Sequence, residues 1–283
     1  MYFVQTLVNG LLLGGYYALI GIGMTMILGI VKLTNLAHGE FVIIGAYMAS
    51  VVTTLLGIDP ILSLVITVPL MFLIGYALQY VLIGSAMKKG AEPALLVTFG
   101  LSIILMDAMR LIFTVNEQSI TTPYSTKTFS IGPINISVLN LVLFAISIIT
   151  ILLLMLFLNR SYVGRAIRAT ADDAQAAALS GVNIKKVYAI AMGVSMASAA
   201  VAGLCVGMKS TFNPTSGGAY LSTAFVVVVI GGMGSIPGTL IAGIVFGLAQ
   251  VIGGASYGQL ISYIMLLLVL VIRPKGILGK QEG

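Results

Sequence analysis

Between Lys209 and Arg273 the chain carries no Asp, Glu, Lys or Arg, and no charged side chain precedes Lys32. Charge-free gaps of this length decide the fold class. Only 8% of the 283 residues are charged and 59% are hydrophobic, where a soluble domain carries about 25% charged residues. There is too little polar surface to cover a folded body in water, so the chain belongs in a membrane. Crossing a hydrocarbon core about 30 Å thick at about 1.5 Å per residue takes roughly 20 mostly apolar residues in a helix. A β-barrel would alternate apolar and polar residues at every second position, and these runs do not. The predicted class is therefore all-α: a polytopic helical membrane protein forming a single integral domain, 1–283.

The few charges act as punctuation. They delimit apolar stretches at Phe3–Ile30, Gly39–Leu56, Ile61–Ile83, Ala94–Val115, Ser137–Leu158, Val187–Met208, Leu221–Gly232, Pro237–Gly253 and Leu260–Ile272, which predicts eight or nine crossings. Basic residues gather at Lys88 and Lys89, across Arg160, Arg165, Arg168, Lys185 and Lys186, and at Arg273, Lys275 and Lys280. The positive-inside rule assigns these three segments to the cytoplasm. Counting back from them places Asn116–Ile136 and Lys209–Tyr220 outside, Val31–Ala37 inside and the N-terminal end outside. Met1–Val31 lacks a basic n-region and exceeds a signal h-region in length, so it is expected as a retained span. The net charge of +6 is charge sorted between two faces, because no basic cluster with interleaved aromatics suggests nucleic acid. The single Cys205 lies in an apolar run, which excludes a disulfide framework and a Cys-rich metal site.

Much of the glycine, 33 residues in all, falls inside the spans. Gly10 with Gly14, and Gly243 with Gly247, have the small-xxx-small spacing that lets helix backbones approach closely. Two polar breaks lead into small-residue helices: Thr34-Asn35-Leu36-Ala37-His38-Gly39, and Gly231–Gly238, which can be a turn or a break within the membrane. Broken helices at membrane depth bind solutes in many transporters, and such backbone is tolerated only where protein or a wet cavity satisfies it. Thr34, Asn35, His38, Gly39 and Glu40 are therefore first candidates for a substrate path, with Gly234, Ser235 and Gly238 second. The simpler reading makes Glu40 a cap in the first turn of its helix and His38 a hydrogen-bonded anchor.

Two further features stand out. Asp107 and Arg110 sit within one span at i and i+3, the spacing of a buried ion pair or of a substrate contact. Gly164–Asn183 is too polar to span and reads as an Ala-rich cytoplasmic helix with Gly181 as its C-cap. Along it Ala171, Ala174, Ala178 and Leu179 share a face, while Arg168, Asp172, Asp173 and Gln175 supply polar contacts suited to a partner protein.

These residues resemble the permease subunits of bacterial and archaeal ABC importers for branched-chain amino acids. The resemblance rests on Asn9-Gly10 through Gly23, on Asn35-Leu36-Ala37-His38-Gly39-Glu40-Phe41, on the Gly164–Asn183 segment and on Arg273-Pro274-Lys275-Gly276-Ile277-Leu278-Gly279. It implies the importer permease fold and a non-catalytic subunit similar to the H-type member of a permease pair. The implied partners are an M-type permease subunit, two ATP-binding subunits and an extracytoplasmic solute-binding protein, in the inner (plasma) membrane of a bacterium or archaeon. ATP and Mg would be used by the partners, with no cofactor or metal on this chain. The resemblance also assigns Arg168, Asp172, Asp173, Gln175, Leu179, Ser180, Gly181 and Asn183 to coupling with the ATPase. Consistently, the sequence has no G-x-x-x-x-G-K-[ST] phosphate loop. Motifs of intramembrane enzymes are missing as well, which leaves a passive channel or facilitator for a small polar solute as the rival reading.

Overall fold

The computed structural model describes residues 2–131, 134–273 and 275–279. Helix α1 (Tyr2–Ile30) is followed by α2 (His38–Leu56), a short 3-10 turn at Pro60–Ser63, α3 (Leu64–Leu78), a π-turn at Gln79–Ile83 and α4 (Gly84–Met87). Then come α5 (Ala91–Phe113), the strands β1 (Thr128–Ile131) and β2 (Ile134–Ser137), α6 (Val138–Arg160), α7 (Tyr162–Asp172) and α8 (Ala174–Leu179). The chain finishes with α9 (Ile184–Lys209), α10 (Gly217–Gly231) and α11 (Ile236–Ile272). Among the described residues seven helices are long and apolar enough to cross a membrane, and Gly217–Gly231 and Ser256–Ile272 are shorter apolar helices. Together they account for the expected stretches. The antiparallel hairpin β1–β2 is a departure from all-α, formed where Asn116–Ile136 leaves the apolar runs.

Lipid offers no hydrophobic drive to pack apolar helices, so close backbone approach has to do the work. The two small-xxx-small motifs pack against each other: a Cβ on Gly247 would lie 2.5 Å from the Gly14 nitrogen and the Gly10 carbonyl, and one on Gly243 would lie 2.6 Å from the Ala18 nitrogen. This locks α1 antiparallel to the first arm of α11. Helix α9, with most of its residues buried, fills the centre, and α3 crosses it at Gly75 and Gly193. At Gly254 (φ 60°) α11 breaks and folds back, bringing Gln250 Nε2 within 3.3 Å of Ser262 Oγ.

The basic clusters share one end of the bundle. There Lys185 lies 3.7 Å above the Tyr80 ring, and the tail stitches onto α10 through Ile277 N–H to Ile230 O (2.8 Å) and Leu278 N–H to Gly231 O (3.1 Å). Pro274 and Lys280 fall outside the described residues. Gly231–Gly238 is a tight turn at this basic end, with Gly232 and Gly234 at positive φ and Ser235 accepting from Gly238 N–H. The opposite end carries the hairpin, the Gln118–Phe212 bridge and a Lys209–Asn140 contact.

The cytoplasmic placement of Val31–Ala37 needs correction. Only its beginning lies at the basic end; the rest climbs back into the bundle. His38 Nε2 donates to the Ile20 carbonyl (3.1 Å), ten residues up α1 from Ile30, or about 15 Å at helical rise. Helix α2 therefore starts halfway across.

Candidate functional site

The climbing link is backbone at membrane depth, and each freed group needs a protein partner. Thr98 of α5 supplies one: its Oγ1 accepts from Leu36 N–H (3.3 Å), while its own hydroxyl donates to the Leu95 carbonyl (2.9 Å) with the Thr34 carbonyl at 3.5 Å. Asn35 is buried and turns the link, accepting from Ala37 N–H at 3.1 Å and reaching Met192 Sδ at 3.9 Å. His38 is fully buried and anchored on Ile20.

Where the link ends, two helix N-termini converge. A Cβ on Gly39 would lie 1.9 Å from the Gly217 carbonyl, and a Cβ on Gly217 would lie 2.2 Å from Glu40 Oε2. Glu40 is 6% exposed; Ser102 of α5 donates to its Oε1 at 3.4 Å, and its Oε2 has no hydrogen-bond partner. The expected capping role for Glu40 is not what the structure displays. The N-cap of α2 is Ala37, with no side-chain cap, and the Glu40 carboxylate reaches instead to the first residue of α10, whose positive dipole end favours it.

One turn further along α10 a cavity of about 360 Å³ opens, lined by Thr34, Leu36, Leu221, Ser222 and Phe225 and closed by Met24, Val226, Tyr263 and Leu266. It is mainly apolar, with a few polar groups on its walls, the usual make-up of a small-molecule site. Helix α5 does not line the cavity; it flanks the link and the start of α2. From its far end inward it presents Arg110, Ser102 beside Glu40, and Thr98 beside Leu36, spaced over about 18 Å at helical rise. Arg110 Nη1 pairs with Asp107 Oδ1 at 2.9 Å, but the side chains are 39% and 55% exposed, so the expected buried pair is a half-exposed one.

Of the five first candidates only Thr34 lines the cavity; Asn35 and His38 are buried against Met192 and Ile20, and Gly39 and Glu40 pack on the first turn of α10. The structure does not bring Gly234, Ser235 and Gly238 to the cavity: Gly234 packs on Gly29 near the basic end of α1, about 13 Å from Ile20 by helical rise. Ser102 and Gly217 join Glu40, and Ser222 joins the cavity wall, although nothing in their sequence surroundings distinguishes them. A polar side chain in an otherwise apolar span is the sole trace that Ser102 and Ser222 leave.

The polar segment at the basic end is two helices, α7 and α8, because Asp173 caps the second by accepting from Gln175 and Ala176 N–H at 2.8 and 3.0 Å. The predicted common face therefore dissolves: Ala177 is buried, while Leu179 is 91% exposed. Arg168 bonds Asn159 and Ser180 Oγ returns to the Ala176 carbonyl; Ser180 rather than Gly181 is the C-cap of α8, and Gly181 takes φ 86° just beyond it. Asn183 caps α9 through Lys186 N–H. Asp172 and Gln175 face outward with Leu179.

A family model described as "Branched-chain amino acid transport system / permease component" matches residues 6–272. The chain is 35% identical to the high-affinity branched-chain amino acid transport system permease protein BraD of Pseudomonas aeruginosa, covering 99% of this chain and 97% of that one. It is 32% identical to LivH of Escherichia coli K12, covering 100% and 97%. The ribose import permease protein RbsC of Haemophilus influenzae is similar at 28% identity, covering 95% and 84%. No solved structure matches. A match over nearly the whole length makes this chain a member of the family of branched-chain amino acid transport permease components.

Proposed function

We propose that the chain forms one wall of the solute path in an ATP-driven importer of branched-chain amino acids, working by alternating access. The observation that carries this reading is the groove: two helix N-termini meeting at mid-depth above a mainly apolar cavity. An aliphatic side chain suits that cavity, and the polar ladder on α5 suits the head group. A path open to one side faces a second wall, which an M-type permease subunit supplies. Two ATP-binding subunits supply nucleotide hydrolysis with Mg, and an extracytoplasmic binding protein delivers solute at the hairpin end. Arg168, Asp172, Asp173, Gln175, Leu179, Ser180, Gly181 and Asn183 form the seat for the ATPase at the basic, cytoplasmic face of an inner membrane. A passive channel has no use for a pair of short polar helices with Leu179 held outward.

The test is reconstitution of the chain with its partner subunits and binding protein in liposomes. Leucine uptake is expected only with ATP. Uptake that is equally fast without ATP supports the channel and overturns the importer reading.

A further inference from the structure

We propose that Asp107 and Arg110 form a subsite for the charged head group of a zwitterionic solute, Arg110 taking its carboxylate and Asp107 its ammonium; this rests on the groove being the solute path. Both residues lie inside a span, about 9 and 5 Å from the Phe113 end of α5 at helical rise. Their neighbours Ile103, Ile104, Leu111 and Ile112 are exposed hydrophobics, yet the pair itself is 55% and 39% exposed. Ionised groups at this depth normally face protein or water, so a half-open pair marks a face that meets one or the other.

The pair is also incompletely satisfied. A guanidinium offers five N–H donors in a planar fork; Arg110 gives Nη1 to Asp107, and its Nε is buried without a partner. A carboxylate presents the matching geometry. Arg110 lies two turns along α5 from Ser102 and about 80° round it, and its charge acts on Glu40. Ser102 leads on to Glu40, whose free Oε2 is a second buried acceptor for an ammonium group.

Charge balance favours a pair over a lone ion here. A neutral Asp–Arg pair that opens to admit a neutral zwitterion exchanges one internal contact for two external ones, and the site's net charge does not change. An uncharged solute gains nothing by opening it. From this subsite to the cavity that accepts the side chain, Ser102 and Glu40 provide the intermediate contacts.

The test compares Asp107→Asn, Arg110→Gln and the swapped double variant Asp107→Arg/Arg110→Asp in the full importer, reconstituted in liposomes. Leucine uptake is expected to fall at least tenfold in all three, with the yield of the assembled importer unchanged. If the pair only neutralises charge within the span, the swap restores uptake to near wild type and the proposal fails. If the losses follow loss of the second permease subunit on purification, the pair is a subunit contact and the proposal also fails. The wild-type importer in the same liposomes separates these results from failure of the importer reading itself.

Discussion

Gly39→Ala tests the meeting point of α2 and α10. The added methyl would sit 1.9 Å from the Gly217 carbonyl oxygen, 2.8 Å from its carbon and 2.9 Å from the Leu221 nitrogen. All three are backbone atoms, so no side-chain rotation relieves the clash. Ordinary contact needs about 3.5 Å, so the two helices must separate by about 1.5 Å. Overpacking of this kind costs about 1–3 kcal/mol, and alanine returns about 0.5–1 kcal/mol of helix propensity. The net expectation is a loss of about 1–2 kcal/mol, together with a larger functional loss because the groove widens at its narrowest point. Gly100→Ala is the control, since a Cβ there meets nothing within 4 Å. The assay is thermal unfolding of the purified subunit in detergent beside leucine uptake by the reconstituted importer. Gly100→Ala is expected to equal or exceed wild-type stability and to transport normally. If Gly39→Ala melts and transports like Gly100→Ala, the two N-termini do not meet as described.

Three further substitutions probe other joints. Thr98→Val removes the hydroxyl that serves Leu36 N–H and is expected to cost about 1 kcal/mol, read as a lower melting temperature, because a part-buried donor is left unpaired. Asp173→Ala removes the cap of α8 and is expected to cost about 1 kcal/mol locally, visible as faster amide exchange over residues 174–179 with unchanged exchange in α9. Leu179→Asp should leave the melting temperature unchanged, as the side chain is 91% exposed, and should reduce co-purification with the ATP-binding subunits.

Charge punctuation made the spans legible because lipid penalises ionised groups whatever the tertiary fold. The small-xxx-small motifs were legible as close packing for a similar reason, although which motif met which depended on the antiparallel pairing of α1 with α11. Depth was harder to read. Val31–Ala37 follows a span, so counting crossings back from the basic clusters placed it at the cytoplasmic face; the anchor that pulls it inward is His38 on Ile20, a contact between residues 18 apart. Glu40 looked like a cap for its own helix because local spacing sees only neighbours, whereas its surroundings come from Ser102 and Gly217, 62 and 177 residues away in sequence. Asp173 split the Ala-rich segment against high helix propensity, since a side chain that bonds two N–H groups starts a new helix there.

The central claim is that solute passes between the climbing link and α10. Its most direct test uses the native Cys205, which is fully buried and gives low background, beside Ser222→Cys on the cavity wall and Leu153→Cys on a 60% exposed apolar face of α6. A thiol reacts as its thiolate, which needs water. In the reconstituted importer turning over ATP, a membrane-impermeant maleimide is expected to label Ser222→Cys, to be slowed by leucine with its binding protein, and to leave Leu153→Cys unmodified. A Ser222→Cys thiol that stays as inert as Leu153→Cys through every nucleotide state would place the path elsewhere.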